Sequence, residues 1–214
     1  EGLIQLKAAP PVAEYYNGPI MFEGGAVATI LANNLLYRGG LIAARSLMPT
    51  GRGLADQFGQ KIMDERLTVK NYTNKKEYNG TPLYGYYEVD GDGVTPEPEI
   101  VLVEKGVFKK MLNGRIPALK APETTGSSRF LMSPQSPTLV TGTGTIHVQA
   151  EKGMAHEKMK KLLIKTAKAA GQSYAYIVRG ISGSALVVYR VDLKDGKETR
   201  VRTTGFRMPE LTKL

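Results

Sequence analysis

Tight turns between short apolar segments constrain the fold of this chain most strongly. Asp195-Gly196 separates Ala185–Val191 from Thr199–Arg202, two segments with the composition of β-strands. An Asp-Gly pair in this position is a strong signal for a β-hairpin. Lys105-Gly106, which follows the strand-like segment Glu99–Glu104, indicates a second hairpin. Because short turns of this kind join antiparallel strands, antiparallel pairing is predicted for much of the chain.

Helical periodicity predicts two principal helices. Within Glu23–Leu36 the apolar residues recur at helical spacing, and Gly39-Gly40 follows as a stop signal. Met154–Ala170 has the same periodicity and is followed by Gly171, a typical residue beyond a helix C-terminus. Its predicted buried face consists of Met159, Leu162, Leu163, Thr166 and Ala170.

The remaining apolar segments are short and rich in strand-forming residues. Further strands are predicted at Pro19–Phe22, Lys61–Met63, Arg66–Val69, Thr145–Ala150 and Tyr174–Arg179. A long polar loop is predicted at Ala121–Pro137, and loops of this length are often functional. The sum is an α+β fold over 1–214, a single, mainly antiparallel β domain, barrel-like or sandwich-like, with two principal helices.

Composition limits the kinds of site that the chain can build. The 214 residues include no cysteine and two histidines, so disulfides and thiolate metal sites are excluded and imidazole ligands are scarce. No apolar stretch is long enough for a membrane-spanning helix, which predicts a soluble chain without a membrane partner. The first residue is Glu1 rather than Met, so an upstream segment could have been removed and the compartment stays open.

The net charge of +9 raises the alternative of nucleic-acid binding. On the second predicted helix four lysines lie largely opposite the apolar face: Lys158, Lys161, Lys165 and Lys168. Such a stripe can neutralise phosphates, but the helix has no interleaved aromatic residues for base stacking. A solvated lysine face is the favoured interpretation, and nucleic acid is the disfavoured partner.

Three isolated patterns resemble chemical sites and are better explained as structure. His156-Glu157 has the start of a zinc-protease helix, but Lys160 stands four residues after His156, where a second imidazole would be needed. His147 is a single histidine in a predicted strand. Asp90 and Asp92 resemble the start of a calcium loop, but the later oxygen ligands do not follow, so a tight turn is favoured.

Four segments in a fixed order resemble the TldD/PmbA family, which includes metalloproteases and proteins called modulators of DNA gyrase. They are Tyr16–Glu23, Gly59–Val69, Asp92–Val94 together with Val103–Leu112, and Thr125–Arg129. They resemble, in turn, the family's Gly-Pro-Val strand, a strand pair, its acidic-Gly-Val and Glu-x-Gly-Val patterns, and its Ser-Thr-Gly-Asn-Ala-Arg loop. The resemblance is to the C-terminal domain, so the chain is expected to be part of a longer subunit that has an N-terminal domain.

The resemblance implies a zinc motif, His-Glu-x-x-x-His, that this chain does not have. The matching positions are Phe22, Glu23 and Val27, of which only Glu23 is retained. Phenylalanine and valine offer no lone pair to a metal, so we expect no catalytic residues, no metal ligands and no cofactor in this chain, as in the metal-free PmbA type. Zinc would enter only through ligands from elsewhere.

The resemblance also implies a partner and a substrate class. Family members pair around a peptide channel, so we expect a homodimer, or a heterodimer with a TldD-type paralogue, that binds an extended peptide. The candidate channel residues are Thr125, Gly126, Ser127, Ser128 and Arg129. A non-catalytic peptide-binding subunit is the leading hypothesis. A zinc-dependent peptidase with external ligands and a DNA-associated module remain the alternatives, and a cytoplasmic location is the family expectation.

Overall fold

The computed structural model describes residues 6–12, 15–37, 40–43, 54–132, 136–182, 185–203 and 207–211. The chain divides into two compact units. The first unit comprises Glu1–Ala32 and Gly153–Pro209, and the second comprises Asn33–Lys152 and Glu210–Leu214. Within the described ranges, none of the helices has the length and apolar character needed to cross a lipid bilayer.

Strands account for most of the regular structure. In chain order they are β1 (Ile20–Phe22), β2 (Leu67–Tyr72), β3 (Glu77–Tyr78), β4 (Thr81–Pro82), β5 (Glu99–Glu104), β6 (Val107–Phe108), β7 (Ser128–Leu131), β8 (Thr138–Thr141), β9 (Thr145–Ala150), β10 (Tyr174–Ser182), β11 (Ala185–Asp192) and β12 (Glu198–Val201). The α-helices are α1 (Gly25–Ala32) and α2 (His156–Ala169). A π-helical turn, Asn33–Tyr37, follows α1, and Leu54–Gln57 forms a 3-10 turn.

The first unit is built on a four-stranded sheet in the order β1-β10-β11-β12. β1 runs parallel to β10, whereas the other neighbours are antiparallel. The predicted hairpin between β11 and β12 is confirmed, because Gly196 has a φ of 73° and the Asp192 N–H donates to the Lys197 carbonyl. Glycine adopts this left-handed conformation without steric cost.

Both faces of this sheet are buried, as the alternation of side chains along a strand requires. One face packs Ala175, Ile177 and Val191 against Leu163 and Ala167 of α2. The opposite face packs the aromatic and β-branched residues Tyr176, Val178, Val188 and Val201 with Ala26 of α1. A sheet covered on both faces explains why β10 and β11 have nearly continuous apolar sequences.

The second principal helix forms as predicted, but its buried face differs from the prediction. Leu163 and Ala167 are buried, whereas Met159 and Leu162 are 39% and 45% exposed and Thr166 and Ala170 are also exposed. The predicted and observed stripes overlap at Leu163 and are rotated relative to each other. Because an apolar stripe wider than the contact can meet a sheet at several rotations, periodicity alone does not fix which part is buried.

The end of α2 is where the sequence placed it. Gly171 has a φ of 69°, its N–H donates to the Lys168 carbonyl, and the Gln172 N–H donates to the Ala167 carbonyl. These bonds satisfy carbonyl groups that the last helical turn leaves without partners. The glycine after Ala170 therefore ends the helix.

The first principal helix is shorter than the predicted segment Glu23–Leu36, since α1 ends at Ala32 and the chain continues as the π-helical turn. Gly39 of the expected stop signal lies outside the described residues. At Gly40 a Cβ atom would come within 1.7 Å of the Leu35 carbonyl oxygen, so only glycine fits at this position. Gly40 is therefore required because its backbone passes close to the carbonyl group of Leu35.

The second unit contains an antiparallel sheet in the order β6-β5-β2-β9 and two separate hairpins, β3-β4 and β7-β8. Its fully buried residues include Val69, Ile100, Leu102, Val103 and Phe108. The Lys105-Gly106 turn between β5 and β6 is confirmed, with positive φ values of 46° and 77°. The α+β class with mainly antiparallel strands is therefore confirmed, and among the described strands both four-stranded sheets are open at their edges rather than closed into a barrel.

Two local predictions in the second unit are corrected. Lys61–Met63 is not a strand, because its pairing is limited to one bridge between Lys61 and Val107 and to bonds from the Ile62 and Met63 N–H groups to the Gly106 carbonyl. Ala121–Pro137 is not a continuous loop, since β7 begins at Ser128 and pairs with β8. Residues 133–135 of that range lie outside the described residues. The polar residues Ser128 and Arg129 in β7 gave no strand signal in the sequence, but pairing with β8 stabilises the strand.

Candidate functional site: a chain of alternating charges around Glu23

Glu23 lies at the end of β1 in the first unit. Its N–H donates to the Val178 carbonyl at 3.0 Å, which continues the parallel pairing of β1 with β10 by one residue. Gly24 then turns the chain with a φ of 57°. The backbone of Glu23 is therefore fixed by the sheet.

Both carboxylate oxygens of Glu23 have cationic or imidazole partners. The Arg179 Nε–H donates to Oε1, and the His156 Nε2 atom lies 2.7 Å from Oε2. Arg179 belongs to β10 and His156 is the first residue of α2. The Glu23 side chain therefore joins the end of β1 to a neighbouring strand and to a helix.

The charges continue in alternation beyond Arg179. Its Nη2 atom lies 2.8 Å from Glu198 Oε2, and Glu198 Oε1 accepts a hydrogen bond of 2.7 Å from Lys160 Nζ. We refer to His156, Glu23, Arg179, Glu198 and Lys160, in that order, as the charge chain. Each carboxylate in it is bound on two sides, which satisfies more of its oxygen lone pairs than an isolated pair would.

The ring of Tyr189 supports the centre of the charge chain. The Arg179 Cζ atom lies 4.5 Å from the centre of this ring, within the range of a cation–π contact. Tyr189 pairs with Ile177 across β10 and β11, and Arg179 lies at the irregularity in this pairing between Val178 and Gly180. The ring of Tyr189 therefore contacts a guanidinium group that extends from an unpaired position of β10.

The two carboxylates are mostly shielded from solvent, and their pKa values reflect their partners. Glu23 and Glu198 side chains are each 19% exposed. Burial would raise the pKa of Glu23, but hydrogen bonds from Arg179 and His156 outweigh burial and hold it below the usual 4.5. For Glu198 burial likewise opposes ionisation, and the Lys160 hydrogen bond and the Arg179 charge lower its pKa.

The pKa values of His156 and Arg179 shift in the opposite direction, upward. Hydrogen bonds to Glu23 and then to Glu157 raise the pKa of His156 above its usual value, and Glu23 does the same for Arg179. His156 is 49% exposed, so solvent screens part of this interaction. His156 and Arg179, like the two carboxylates, are therefore stabilised in their ionised forms.

The sequence prediction for His156 did not include its contact with Glu23. A surface helix start was expected, and His156 does begin α2, but its imidazole binds Glu23. The residue that excluded a zinc motif, Lys160, lies one helical turn later and binds Glu198. A histidine and a lysine at this spacing on an otherwise apolar stripe could have indicated an ion-paired face.

The three degenerate motif positions do not fit a zinc ion. Phe22 and Val27 have no ligand atoms, Val27 is 37% exposed, and the oxygens of Glu23 are bound to Arg179 and His156. In the described part of the chain, no group of three or more His, Cys, Asp or Glu side chains could hold a metal ion. Zinc sites in proteins use three or four such side chains, so this donor set does not match one.

The candidate channel residues lie in the second unit, and most of them serve the fold. Ser127 and Ser128 are fully buried, and the Thr125 hydroxyl donates to the Asn113 carbonyl at 3.0 Å. Gly126 has a φ of 64° and accepts a hydrogen bond from the Tyr87 hydroxyl. These contacts fix the backbone that leads into β7.

The Asp90-Gly-Asp92 turn, expected to be structural, holds this segment in place. Asp90 Oδ1 accepts hydrogen bonds of 2.9 Å from the N–H groups of Asp92 and Val94, and its Oδ2 accepts one of 2.9 Å from the Ser128 N–H. Asp92 in turn contacts the Ser128 hydroxyl. The carboxylates of Asp90 and Asp92 thus stabilise the turn and hold the segment around Ser128 against it.

Arg129 and the residues after it face outward in part. The Arg129 Cζ atom lies 4.0 Å from the centre of the Tyr87 ring. Three consecutive apolar side chains follow: Phe130, Leu131 and Met132 are 63%, 57% and 76% exposed. Large apolar residues so exposed in a row are unusual on a protein surface and commonly mark a contact site. We call Phe130–Met132 the apolar row.

The remaining sequence candidates have structural surroundings. His147 in β9 packs edge-on against the rings of Tyr72 and Tyr78, with centroids 5.9 and 5.4 Å apart. The four lysines singled out on α2 are all exposed.

Two solved structures share the fold of this chain. TldE from Thermococcus kodakarensis superposes with a TM-score of 0.63 at 17% identity, over 93% of this chain and 43% of that one. A candidate modulator of a DNA gyrase from Thermotoga maritima gives a TM-score of 0.62 at 14% identity, over 92% and 42% of the two chains. The chain thus spans less than half the length of these structures.

No match was found among curated proteins. The comparison with family models is specific: residues 16–204 match the model described as the PmbA/TldA metallopeptidase C-terminal domain. Because this match covers most of the 214 residues and includes the charge chain from Glu23 to Glu198, the chain belongs to the TldD/PmbA family.

Proposed function

We propose that this chain is a non-catalytic, peptide-binding part of a TldD/PmbA subunit. The observation that supports the proposal most strongly is that both carboxylate oxygens of Glu23 are bound to other side chains. Glu23 is the retained residue of the family's metal motif, and one of its oxygens is bound to Arg179 and the other to His156. The chain offers ion pairs where a hydrolytic site would need a free base.

A general base must be able to take up a proton in the course of the reaction, which requires a free lone pair and a suitable pKa. The hydrogen bonds to Glu23 lower its pKa, so its carboxylate is a weaker base than an ordinary glutamate. Displacing Arg179 would remove the partner of one Glu23 oxygen, Oε1, in a partly buried place. These costs favour a structural role for Glu23.

The apolar row is the surface that we propose for the peptide. Phe130, Leu131 and Met132 expose apolar side chains at the end of β7, and β7 belongs to a hairpin of only two strands. An extended peptide can add to such a hairpin by backbone hydrogen bonds while its side chains pack on alternate residues. Arg129, next to the row, could bind a peptide carbonyl or carboxylate.

We propose that the complete assembly contains a second subunit. The chain spans 43% and 42% of two solved relatives, so the remaining parts of such a subunit are available for pairing. A TldD-type paralogue that carries the zinc ligands would supply what Phe22 and Val27 do not, whereas a second copy of this chain would supply only a pairing surface. With the paralogue, this chain binds the peptide and its partner cleaves it.

Elemental analysis and a hydrolysis assay test the non-catalytic role. We expect neither stoichiometric zinc nor cleavage of an unfolded peptide by the chain alone, and both to appear with a TldD-type paralogue. Zinc and cleavage by the chain alone would overturn the proposal.

Fluorescence anisotropy with a labelled, unstructured apolar peptide tests the binding surface. Replacing Phe130, Leu131 and Met132 together by serine should weaken binding about tenfold or more, equivalent to roughly 1.4 kcal/mol. Leu119→Ser is the matched control, because Leu119 is 70% exposed and belongs to the same unit but not to the apolar row. Equal affinity of the triple variant and the wild type would refute this surface.

A further inference from the structure

The first unit contains a cavity that the proposed peptide site does not use. It lies beside the turn between β11 and β12, has a volume of about 280 Å³ and opens to solvent. Its lining residues are Ser173, Tyr174, Arg190, Asp192, Asp195, Lys197 and Thr199. The volume is just below the roughly 300–1,000 Å³ typical of pockets for drug-sized ligands, so it suits a smaller molecule. We call it the hairpin cavity.

Strand register brings the wall of this cavity together. Tyr174 pairs with Asp192 across β10 and β11, and Arg190 pairs with Thr199 across β11 and β12. Residues directly opposite each other in antiparallel strands project from the same face, and so do residues two positions apart on one strand. The aromatic ring, the guanidinium group, the carboxylate and the hydroxyl therefore share one face of the sheet.

The turn that completes the wall is held in one conformation by its own side chains. Asp192 Oδ1 accepts a hydrogen bond of 2.7 Å from the Lys194 N–H, and Asp195 Oδ1 accepts one of 2.8 Å from the Lys197 N–H. The Gly196 N–H donates to the Asp192 carbonyl. A turn that is already ordered loses little conformational entropy when it binds a ligand.

The charged groups that line the hairpin cavity can still bind a ligand. Within the described residues, neither Arg190 nor Lys197 forms an ion pair, and the Arg190 Cζ atom lies 5.7 Å from the centre of the Tyr174 ring. Each aspartate uses one oxygen for its turn hydrogen bond, and no described residue binds the other oxygen. This contrasts with the charge chain on the other face of the sheet, where the cations are paired with carboxylates.

The balance of charges selects the ligand class. Two cations and two carboxylates give the cavity no net charge, so a phosphate or a nucleic acid would meet two aspartates at close range. A ligand with both a carboxylate and an ammonium group can match the two signs at once, the carboxylate with Arg190 and Lys197 and the ammonium with Asp192 and Asp195. The Tyr174 ring, which stacks on Tyr16 with centroids 5.4 Å apart, lines the cavity and can contact the part of the ligand between its two charges.

We infer that the hairpin cavity binds a small zwitterion of the amino acid or dipeptide class. This site is separate from the apolar row, which lies in the other unit and is proposed for an extended peptide. The inference therefore does not depend on the proposed function. The site recognises free α-amino and α-carboxyl groups, so it selects for short products over the interior of a long peptide.

Titration of the isotope-labelled chain with glycylglycine, followed by amide chemical shifts, tests this inference. We expect shifts confined to residues 173–174 and 190–199. N-acetyl-glycylglycine, which lacks the ammonium group, and glycylglycine amide, which lacks the carboxylate, should each bind about tenfold more weakly or worse. If the acetylated peptide binds as well as glycylglycine, the general positive charge of the chain is responsible and the inference is wrong.

Matched variants locate the site. Lys197→Gln and Arg190→Gln should weaken glycylglycine binding about tenfold, whereas Lys194→Gln should leave it unchanged, since Lys194 lies in the same turn but does not line the cavity. All three residues are exposed, so the fold should tolerate the substitutions. Equal weakening by Lys194→Gln, or no shift at about 10 mM glycylglycine, would overturn the inference.

Discussion

The imidazole Nε2 atom of His156 lies 2.7 Å from Oε2 of Glu23, so the first residue of α2 is tied to the residue that follows β1. The two residues are 133 positions apart in the sequence. Their contact links the two chain segments of the first unit, since Glu23 belongs to Glu1–Ala32 and His156 belongs to Gly153–Pro209. Through the charge chain it also connects both residues to Arg179 and Glu198. It also makes the stability of this unit depend on protonation.

Stability should fall as the pH rises above 6.5 and through the raised folded-state pKa of His156, because the His156 charge is lost. Glu23 raises the pKa of His156 above its usual 6.5, so the stabilising contribution is complete below pH 6.5 and is lost as the pH passes the folded-state pKa. Thermal unfolding at a series of pH values measures this. His156→Gln should flatten that part of the profile, and Lys158→Gln, a neighbouring exposed residue, should not. An unchanged slope in His156→Gln would contradict the prediction.

Glu23 should produce the opposite dependence in acid. Its folded-state pKa lies below the usual 4.5, so its contribution is present above pH 4.5 and is lost as the pH falls through the lowered value. Glu23→Gln should therefore be less stable than the wild type at neutral pH and should lose less stability on acidification. Acid unfolding followed by circular dichroism measures this difference, and parallel acid limbs for the two proteins would count against it.

Removing Arg179 should destabilise the first unit. Arg179→Gln leaves Glu23 and Glu198 without their shared cation, although each carboxylate is only 19% exposed. We expect a loss of about 1–3 kcal/mol in the free energy of unfolding, the usual cost of a polar group without a partner. Urea denaturation measures this loss. The double variant with Glu23→Gln should lose less than the sum of the two single variants.

A matched control exists for this substitution. Arg66 pairs with Asp64 but is 64% exposed, so Arg66→Gln should cause no comparable loss. If Arg66→Gln and Arg179→Gln were equally destabilising, the charge chain would have no special structural role.

The rotation of α2 on its sheet can be tested by two adjacent leucines. Leu163 is 6% exposed and Leu162 is 45% exposed. Leu163→Ala should cost about 2–4 kcal/mol, because it removes buried contacts and leaves a cavity, whereas Leu162→Ala should cost well under about 1 kcal/mol. Chemical denaturation of both variants gives the comparison. Similar losses for the two would mean that the helix packs with the wider stripe that periodicity suggested.

Asp90 should be more important for stability than an ordinary turn residue. Its carboxylate accepts three backbone hydrogen bonds, and Asp90→Asn replaces one of its two acceptor oxygens by a donor that would face an N–H group. We expect a loss of about 1–3 kcal/mol in urea unfolding. Asp56→Asn, at an exposed position in the same unit, should behave like the wild type, and a wild-type result for Asp90→Asn would refute this role of Asp90.

Local turn and cap signals determined much of the fold from the sequence. Asp195-Gly196 and Lys105-Gly106 specify hairpins, and Gly171 specifies the end of α2, because the φ angles that these turns need are accessible to few residues. Glu23 was singled out from the sequence only as the retained position of a degenerate metal motif, through the family resemblance, and its ion pairs were not predicted. These features depend on residues that are neighbours along the chain.

Long-range contacts were decided by the tertiary structure alone. Glu23 and Arg179 are 156 residues apart, and nothing near either residue encodes the other. The sequence also did not show the pairing of β7 with β8, a local hairpin that turned part of an expected loop into a strand, or the rotation that buries Leu163 and exposes Leu162. The physical reason is that ion pairs and packing depend on where strands and helices meet in space, whereas turn geometry is set within a few consecutive residues.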